Sequence, residues 1–244
     1  MKRPYILVGA GGTGSYLFPA LARMLEAYYS HREDDYTLTI IDGKEVDASK
    51  LERQLFFGRF AGINKALALA EQYESDPKSI IAVPSYLDDK NIKGIHENAV
   101  ILIAADNFPV RGRIEKYASK MRNITVINGG NEMTDGSLQI WVRRDKKNIT
   151  PPLSQGHPEI LTDDGRDPSA LSCQQIAELP SGEQLIIANL MSATAMLNAV
   201  RRLLEWEDAD NTDNAPFPPG EEVFFDLNTF AMRATTRPTA ETST

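Results

Sequence analysis

Cysteine is almost absent: the 244-residue chain has one, Cys173. An internal disulfide is thereby excluded, there is no CxxC half-site for zinc, and a reducing, cytoplasmic setting is the expectation. A basic excess is missing too. Lysine and arginine total 26 against 34 aspartates and glutamates, a net charge of −8, so the footprint of a general nucleic-acid or anionic-membrane binder is lacking. The three histidines, His31, His96 and His157, are scattered without metal-ligand spacing and read as surface or loop residues. Long apolar runs are also wanting. Residues 4–22 carry no charge but are interrupted by Gly9-Ala10-Gly11-Gly12-Thr13-Gly14, which the apolar helix of a signal peptide would not tolerate. Residues 184–200 are uncharged but include Asn189, Ser192, Thr194 and Asn198, short of the ~20 apolar residues a membrane span needs.

What is present reads as alternating strands and helices. Tyr5-Ile6-Leu7-Val8 is a short apolar run before the glycines, and Leu17, Leu21, Met24, Leu25 and Tyr28 then recur at helical spacing. A second strand over residues 36–41 ends in Asp42-Gly43, and a helix is expected from about 63 to 74. Residues 79–83 and 99–104 are nearly continuous apolar runs, the pattern of parallel strands covered on both faces. A helix follows from Val110 to Met121, then a strand at 124–127 and another at 137–142. The link between these last two is too short for a crossover helix, so the sixth strand is expected to be antiparallel. Residues 145–168 hold prolines, acids and glycine without periodicity and are expected to be a mobile crossover. A helix over 183–204 is apolar nearly all round, with the small residues Ala188, Ser192, Ala195 and Ala199 in a stripe. Residues 223–225 and 230–232 read as a final hairpin before a threonine-rich tail.

Glycines 9, 11 and 14, after a strand and opening a helix, permit a tight turn and let backbone N–H groups approach phosphate; Asp42 stands where an acid meets ribose hydroxyls in such folds. To this point a nicotinamide enzyme and an ATP enzyme fit equally. The stretch Ile41-Asp42-Gly43-Lys44-Glu45-Val46-Asp47-Ala48-Ser49-Lys50-Leu51-Glu52-Arg53-Gln54, then Lys65, then Ala105-Asp106-Asn107-Phe108-Pro109-Val110-Arg111 separates them. It resembles the superfamily of ThiF, MoeB and the ubiquitin-activating enzymes. That superfamily shows aspartate-x-aspartate-x-valine, Ser-Asn-Leu-x-Arg-Gln, a helix-borne lysine and a strand ending in Asp-Asn-x-x-x-Arg, in that order. Weaker likeness continues through Gly136-Ser137-Leu138-Gln139-Ile140, Cys173 and Phe225-Asp226.

The resemblance implies an α/β, Rossmann-like, doubly wound and mostly parallel sheet extended by antiparallel strands. It implies one adenylation domain over residues 1–235, with a mobile crossover at 145–170 and a flexible tail at 236–244. ATP and Mg²⁺ are the implied cofactors. Gly9, Gly11, Gly12 and Gly14 would face the phosphates, Asp42 the ribose, Arg53 and Lys65 the triphosphate, and Asp106, beside Asn107, the metal, while Gln54 would support the nucleotide loop. Cys173 would accept the activated acyl group as a thioester or serve sulfur transfer; the bland reading is a buried small side chain. The implied partner is a ubiquitin-like or sulfur-carrier protein, and a homodimer is expected, with no membrane and no nucleic-acid partner.

Departures are visible as well. Lys44 stands where the second aspartate would be and Lys50 where the asparagine would be, and the paired CxxC motifs of zinc-bearing relatives are absent, so no zinc is expected. The arginine-bearing segment that precedes the first strand in many relatives is missing, and Arg59 or Arg111 is the expected substitute. The rival readings are adenylation of a peptide or tRNA-bound carboxylate, a nicotinamide-dependent oxidoreductase, and a degenerate nucleotide-binding scaffold.

Overall fold

The computed structural model describes residues 2–73, 80–105, 108–161, 182–209 and 221–237. In chain order its elements are β1 (Lys2–Val8), α1 (Gly12–Tyr29), β2 (Asp35–Ile41), α2 (Lys65–Gln72), β3 (Ile80–Val83), β4 (Val100–Ile103) and α3 (Phe108–Ala118). There follow β5 (Ile124–Asn131), β6 (Asp135–Arg144), β7 (Lys147–Asn148), α4 (Gly182–Asp208), β8 (Glu222–Asp226) and β9 (Ala231–Thr235). One sheet holds every strand, in the order β3-β2-β1-β4-β5-β6-β8-β9 with β7 beside β6. The pairings from β3 through β5 are parallel, and those from β5 onward are antiparallel. The expected sheet and the antiparallel sixth strand are therefore present.

The apolar runs explain the layering. All four residues of β4 are fully buried, as a strand covered on both faces requires. On one face Leu7, Leu102 and Ile127 pack with Leu17, Leu21, Met196 and Leu203 of α1 and α4. On the other, Ile6, Ile101 and Val126 pack with Val110 and Ile114 of α3. The small-residue stripe of α4 is buried within this single chain, where the helix contacts α1, β5 and β6. Among the described residues no helix is long and apolar enough to cross a membrane.

Residues 145–161, read from sequence as part of a mobile crossover, are anchored. Asp145 and Lys146 both have positive φ, the backbone of a primed two-residue hairpin turn, and join β6 to β7. Pro151 and Pro152 follow, and proline's missing N–H removes ladder bonds. Side chains make up for this: the buried Thr150 hydroxyl accepts the Val142 N–H at 2.7 Å and donates to the Ile140 carbonyl at 2.8 Å. Leu153 and Ile160 are buried, and Glu115 of α3 accepts the Ser154 N–H at 2.8 Å. His157 is half-buried here, with Nε2 2.7 Å from Glu222 and Nδ1 3.0 Å from Glu159.

Candidate functional site

The parallel order 3-2-1-4-5 reverses direction between β1 and β4, and in open α/β sheets the crevice at the carboxyl ends of such strands is where ligands bind. The glycine turn lies there. Gly9 has φ +96°, and a Cβ on it would come within 2.9 Å of the Ala104 and Ala105 main chain, so the first position accepts no side chain. Gly14 is as strictly required, since its Cβ would fall 2.0 Å from the Gly9 carbonyl oxygen. A Cβ on Gly11 would meet nothing within 4 Å. Gly11 is also the N-cap of α1, makes no side-chain cap, and no acid occupies the first turn. The N–H groups and positive end of an 18-residue helix are thus offered to an anion.

Asp42 closes this turn from the tip of β2. Its Oδ2 accepts the Ala10 N–H and its Oδ1 the Lys44 N–H, each at 2.7 Å. The residue read from sequence as a ribose acceptor is therefore also the brace of the glycine turn, and each oxygen keeps a further lone pair. Asn64 does parallel work next door. It caps α2 through the Ala66 N–H at 2.9 Å, and its Nδ2 donates to the carbonyls of Asp42 at 2.9 Å and Lys44 at 3.2 Å. Lys65 opens α2, its N–H donates to the Lys44 carbonyl at 2.9 Å, and it is only 4% exposed. Asp42 and Lys65 thus share one backbone frame.

The Arg53 segment is built from the other side. Asp47 caps a short 3-10 turn, Ala48–Lys50, and its carboxyl is held down to about 2 by the Ser49 hydroxyl, the Ser49 N–H and Lys50, in that order. Lys50, a departure from the family pattern, forms an ion pair with that cap at 3.2 Å. The Arg53 N–H then donates to the Lys50 carbonyl at 3.1 Å, and the Leu55 N–H to the Ser15 hydroxyl of α1 at 2.9 Å. Gln54 Oε1 is buried without a hydrogen-bond partner among the described residues.

Of the two candidate substitute arginines, Arg59 is exposed and lies over Phe57 and Phe60, 5.2 and 4.8 Å from the ring centroids. Arg111 is half-buried, and its Nη2 donates to the Ala105 carbonyl at 3.3 Å, at the carboxyl end of β4. Phe56 and Phe60 are buried, so that aromatic segment is packing. Asp106, Asn107 and Cys173 lie outside the described residues. Among the described residues no three potential ligands cluster to hold a metal.

Four residues that bind the site together were not singled out from sequence: Ser15, Asn64, Asn131 and Asn189. Asn64, directly before an amphipathic run, carried an N-cap signal; a carboxamide in the apolar α4 was the only hint of Asn189. A cavity of about 570 Å³ lies away from this crevice, lined by Met24, Tyr28, Arg32, Arg201, Leu204 and Asp208. Most of its polar groups are paired within the chain, Tyr28 and Arg32 with Asp208 and Arg201 with Glu205, and His31 lines it as well. The crevice, with its open helix end, is the stronger site.

The profile of the ThiF family matches residues 2–238. The fold is similar to Escherichia coli MccB, at 13% identity and a TM-score of 0.66, covering 98% of this chain and 64% of that one. MccB with ATP gives 14% identity, the same coverage and a TM-score of 0.66. The microcin C7 biosynthetic enzyme MccB in complex with N-formylated MccA gives 13% identity, 98% and 66% coverage, and a TM-score of 0.68. The chain thus spans slightly less than two thirds of the MccB chains. No curated protein sequence matches it.

Proposed function

The chain belongs to the ThiF family, and from that premise we propose that it is an ATP-dependent adenylyltransferase acting on the C-terminal carboxylate of a polypeptide. One observation carries the reading: the glycine turn at the switch point opens on an uncapped helix N-terminus and is hydrogen-bonded, through Ser15, to the main chain that bears Arg53. A triphosphate needs both. A nicotinamide oxidoreductase would use the turn and Asp42 but give no work to Arg53 or Lys65.

In the proposed reaction a carboxylate oxygen attacks the α-phosphorus of ATP. The new O–P bond forms as the bond from that phosphorus to the bridging oxygen of the β-phosphate breaks, leaving an acyl adenylate and pyrophosphate. Negative charge grows on the phosphoryl oxygens, so catalysis is mostly positioning and electrostatics. Arg53 suits a fork-like contact to those oxygens and Lys65 a point charge. Mg²⁺, which Asp106 would hold, supplies further neutralisation when bound. Cys173 is the proposed acceptor: its thiolate attacks the acyl carbon, a thioester forms and AMP departs.

For the substrate, the motif resemblance favours a ubiquitin-like or sulfur-carrier protein. A second reading, a peptide, is favoured by the likeness to MccB, whose structures hold the peptide substrate MccA. ATP–pyrophosphate exchange separates them, driven in turn by carrier proteins with free C-termini and by short peptides. Exchange with one class, abolished in Arg53→Ala and Asp106→Ala, is the expected outcome. A thiol-labile adduct absent from Cys173→Ser would add the transfer step. Protein that binds ATP yet exchanges with neither class would refute the reading.

A further inference from the structure

Two further side chains tie the Arg53 segment to the glycine turn. Ser15, fully buried in the first turn of α1, donates its hydroxyl proton to the Gly12 carbonyl at 3.0 Å and accepts the Leu55 N–H at 2.9 Å. Asn189, 9% exposed, reaches the same place from α4. Its carboxamide lies against Gly12, where a Cβ would come 2.3 Å from Nδ2 and 2.6 Å from Oδ1, so Gly12 is glycine to admit it. Asn189 Nδ2 donates to the Arg53 carbonyl at 3.4 Å, while Oδ1 accepts from Asn131 Nδ2 at 3.2 Å. The Thr13 hydroxyl is shared between Asn131 Oδ1 at 2.9 Å and Asn189 Oδ1 at 3.4 Å.

Nearby on α4 the buried residues are Ala188, Ser192, Ala193, Ala195 and Met196, and a carboxamide buried among them is unfavourable unless its hydrogen bonds are made. The bonds it makes run to the first turn of α1, to the end of β5 and to the main chain of Arg53. None goes to another residue of α4.

We propose that Ser15 and Asn189 are positioning residues for the triphosphate. They clamp the main chain at Arg53 and Leu55 to the first turn of α1, so that the guanidinium and the helix N-terminus meet one ligand in one geometry. The proposal rests on the adenylation reading above. Neither side chain needs to touch the nucleotide, and both act through Arg53 and the glycine turn. Their removal therefore weakens the hold on phosphates and leaves the hold on the nucleoside.

The test is calorimetric binding of ATP, and of adenosine by competition, to the full chain and to Ser15→Ala, Asn189→Leu and Asn189→Ser. Each is made alone and in an Arg53→Ala background. Ser15→Ala and Asn189→Leu are each expected to weaken ATP about tenfold and adenosine less than about twofold. Asn189→Ser keeps a small neutral polar side chain but loses the N–H that faces the Arg53 carbonyl; it is expected to weaken ATP by a smaller factor, and it carries the test should Asn189→Leu not fold. Once Arg53 is alanine, each effect on ATP is expected to shrink, because residues that act through one another are not additive. Equal weakening of ATP and adenosine, no weakening of ATP, or full additivity with Arg53→Ala would overturn the proposal. Wild-type protein that does not bind ATP would instead overturn the adenylation reading, and with it the role given to these two residues.

Discussion

The two ends of the same parallel sheet are built on opposite principles. At the amino ends of the parallel strands, Arg3 of β1 and Arg144, the last residue of the antiparallel β6, converge on Glu207 near the end of α4, Arg3 through Nη1 and Nη2, and all three side chains are 18–19% exposed. Arg3 lies 5.6 Å from the Tyr5 ring, which packs edge-on with Tyr29 and Tyr36. At the carboxyl ends, the helix N-terminus has no side-chain cap, Gly11 faces open space and Gln54 Oε1 has no partner among the described residues. One end is closed by paired charge, and the other presents a helix N-terminus without a side-chain cap.

The comparison breaks most severely at Glu207. Glu207→Ala leaves two largely buried guanidinium groups without their carboxylate, a change expected to cost about 3 kcal/mol or more in urea or thermal unfolding. The folded fraction should bind ATP as wild type does. A weakened nucleotide affinity in that fraction would show that the two ends are not separable.

Next in size are two substitutions at the open end. Gly14→Ala places a Cβ 2.0 Å from the Gly9 carbonyl, an obstacle made of backbone that cannot swing aside. The turn must move, and ATP affinity is expected to fall about a hundredfold or more, with some loss of stability. Gly11→Ala meets no protein atom, so it should lower stability by no more than the ~1 kcal/mol an N-cap residue is worth over alanine while still weakening ATP. Equal ATP binding by Gly11→Ala and wild type would mean that the open space before α1 is not where the phosphates lie.

The two ends were unequally legible in the sequence. β1, β4 and the glycine turn were readable because continuous apolar runs and clustered glycines are local signals, and local signals need no knowledge of the fold. The order of motifs around Asp42, Arg53 and Lys65 was readable for the same reason. Hidden were contacts between residues far apart in the chain: the Asp42 carboxylate on the Ala10 N–H, Ser15 on Leu55, Asn189 on Arg53, and the whole Arg3, Arg144 and Glu207 cluster. Pattern carries period and composition but no distance. Residues 145–161 differ again, because their contacts come from Thr150 and Glu115 side chains, where periodicity has nothing to report.

The smallest expected effect sharpens the comparison on the flank of the open end. Asp47 is exposed, and the pull on its carboxyl comes from Ser49 and Lys50. Its folded value of about 2 lies below the ordinary 3.8. The sign follows from linkage: a depressed acid contributes fully above its unfolded value, and the contribution is lost as pH falls through the folded one. The turn ahead of Arg53 should therefore keep its amide protection at Ser49 and Lys50 from neutrality down to about pH 4 and lose it only toward pH 2. Hydrogen exchange across that range reads it, with Asp47→Asn as the variant whose protection is low throughout and flat with pH. Exposed charge of this kind adds little to global stability, so unfolding of Asp47→Asn should match wild type. A large global loss would place Asp47 with the closed end of the sheet, as a part of what holds the fold rather than of what shapes the approach to Arg53.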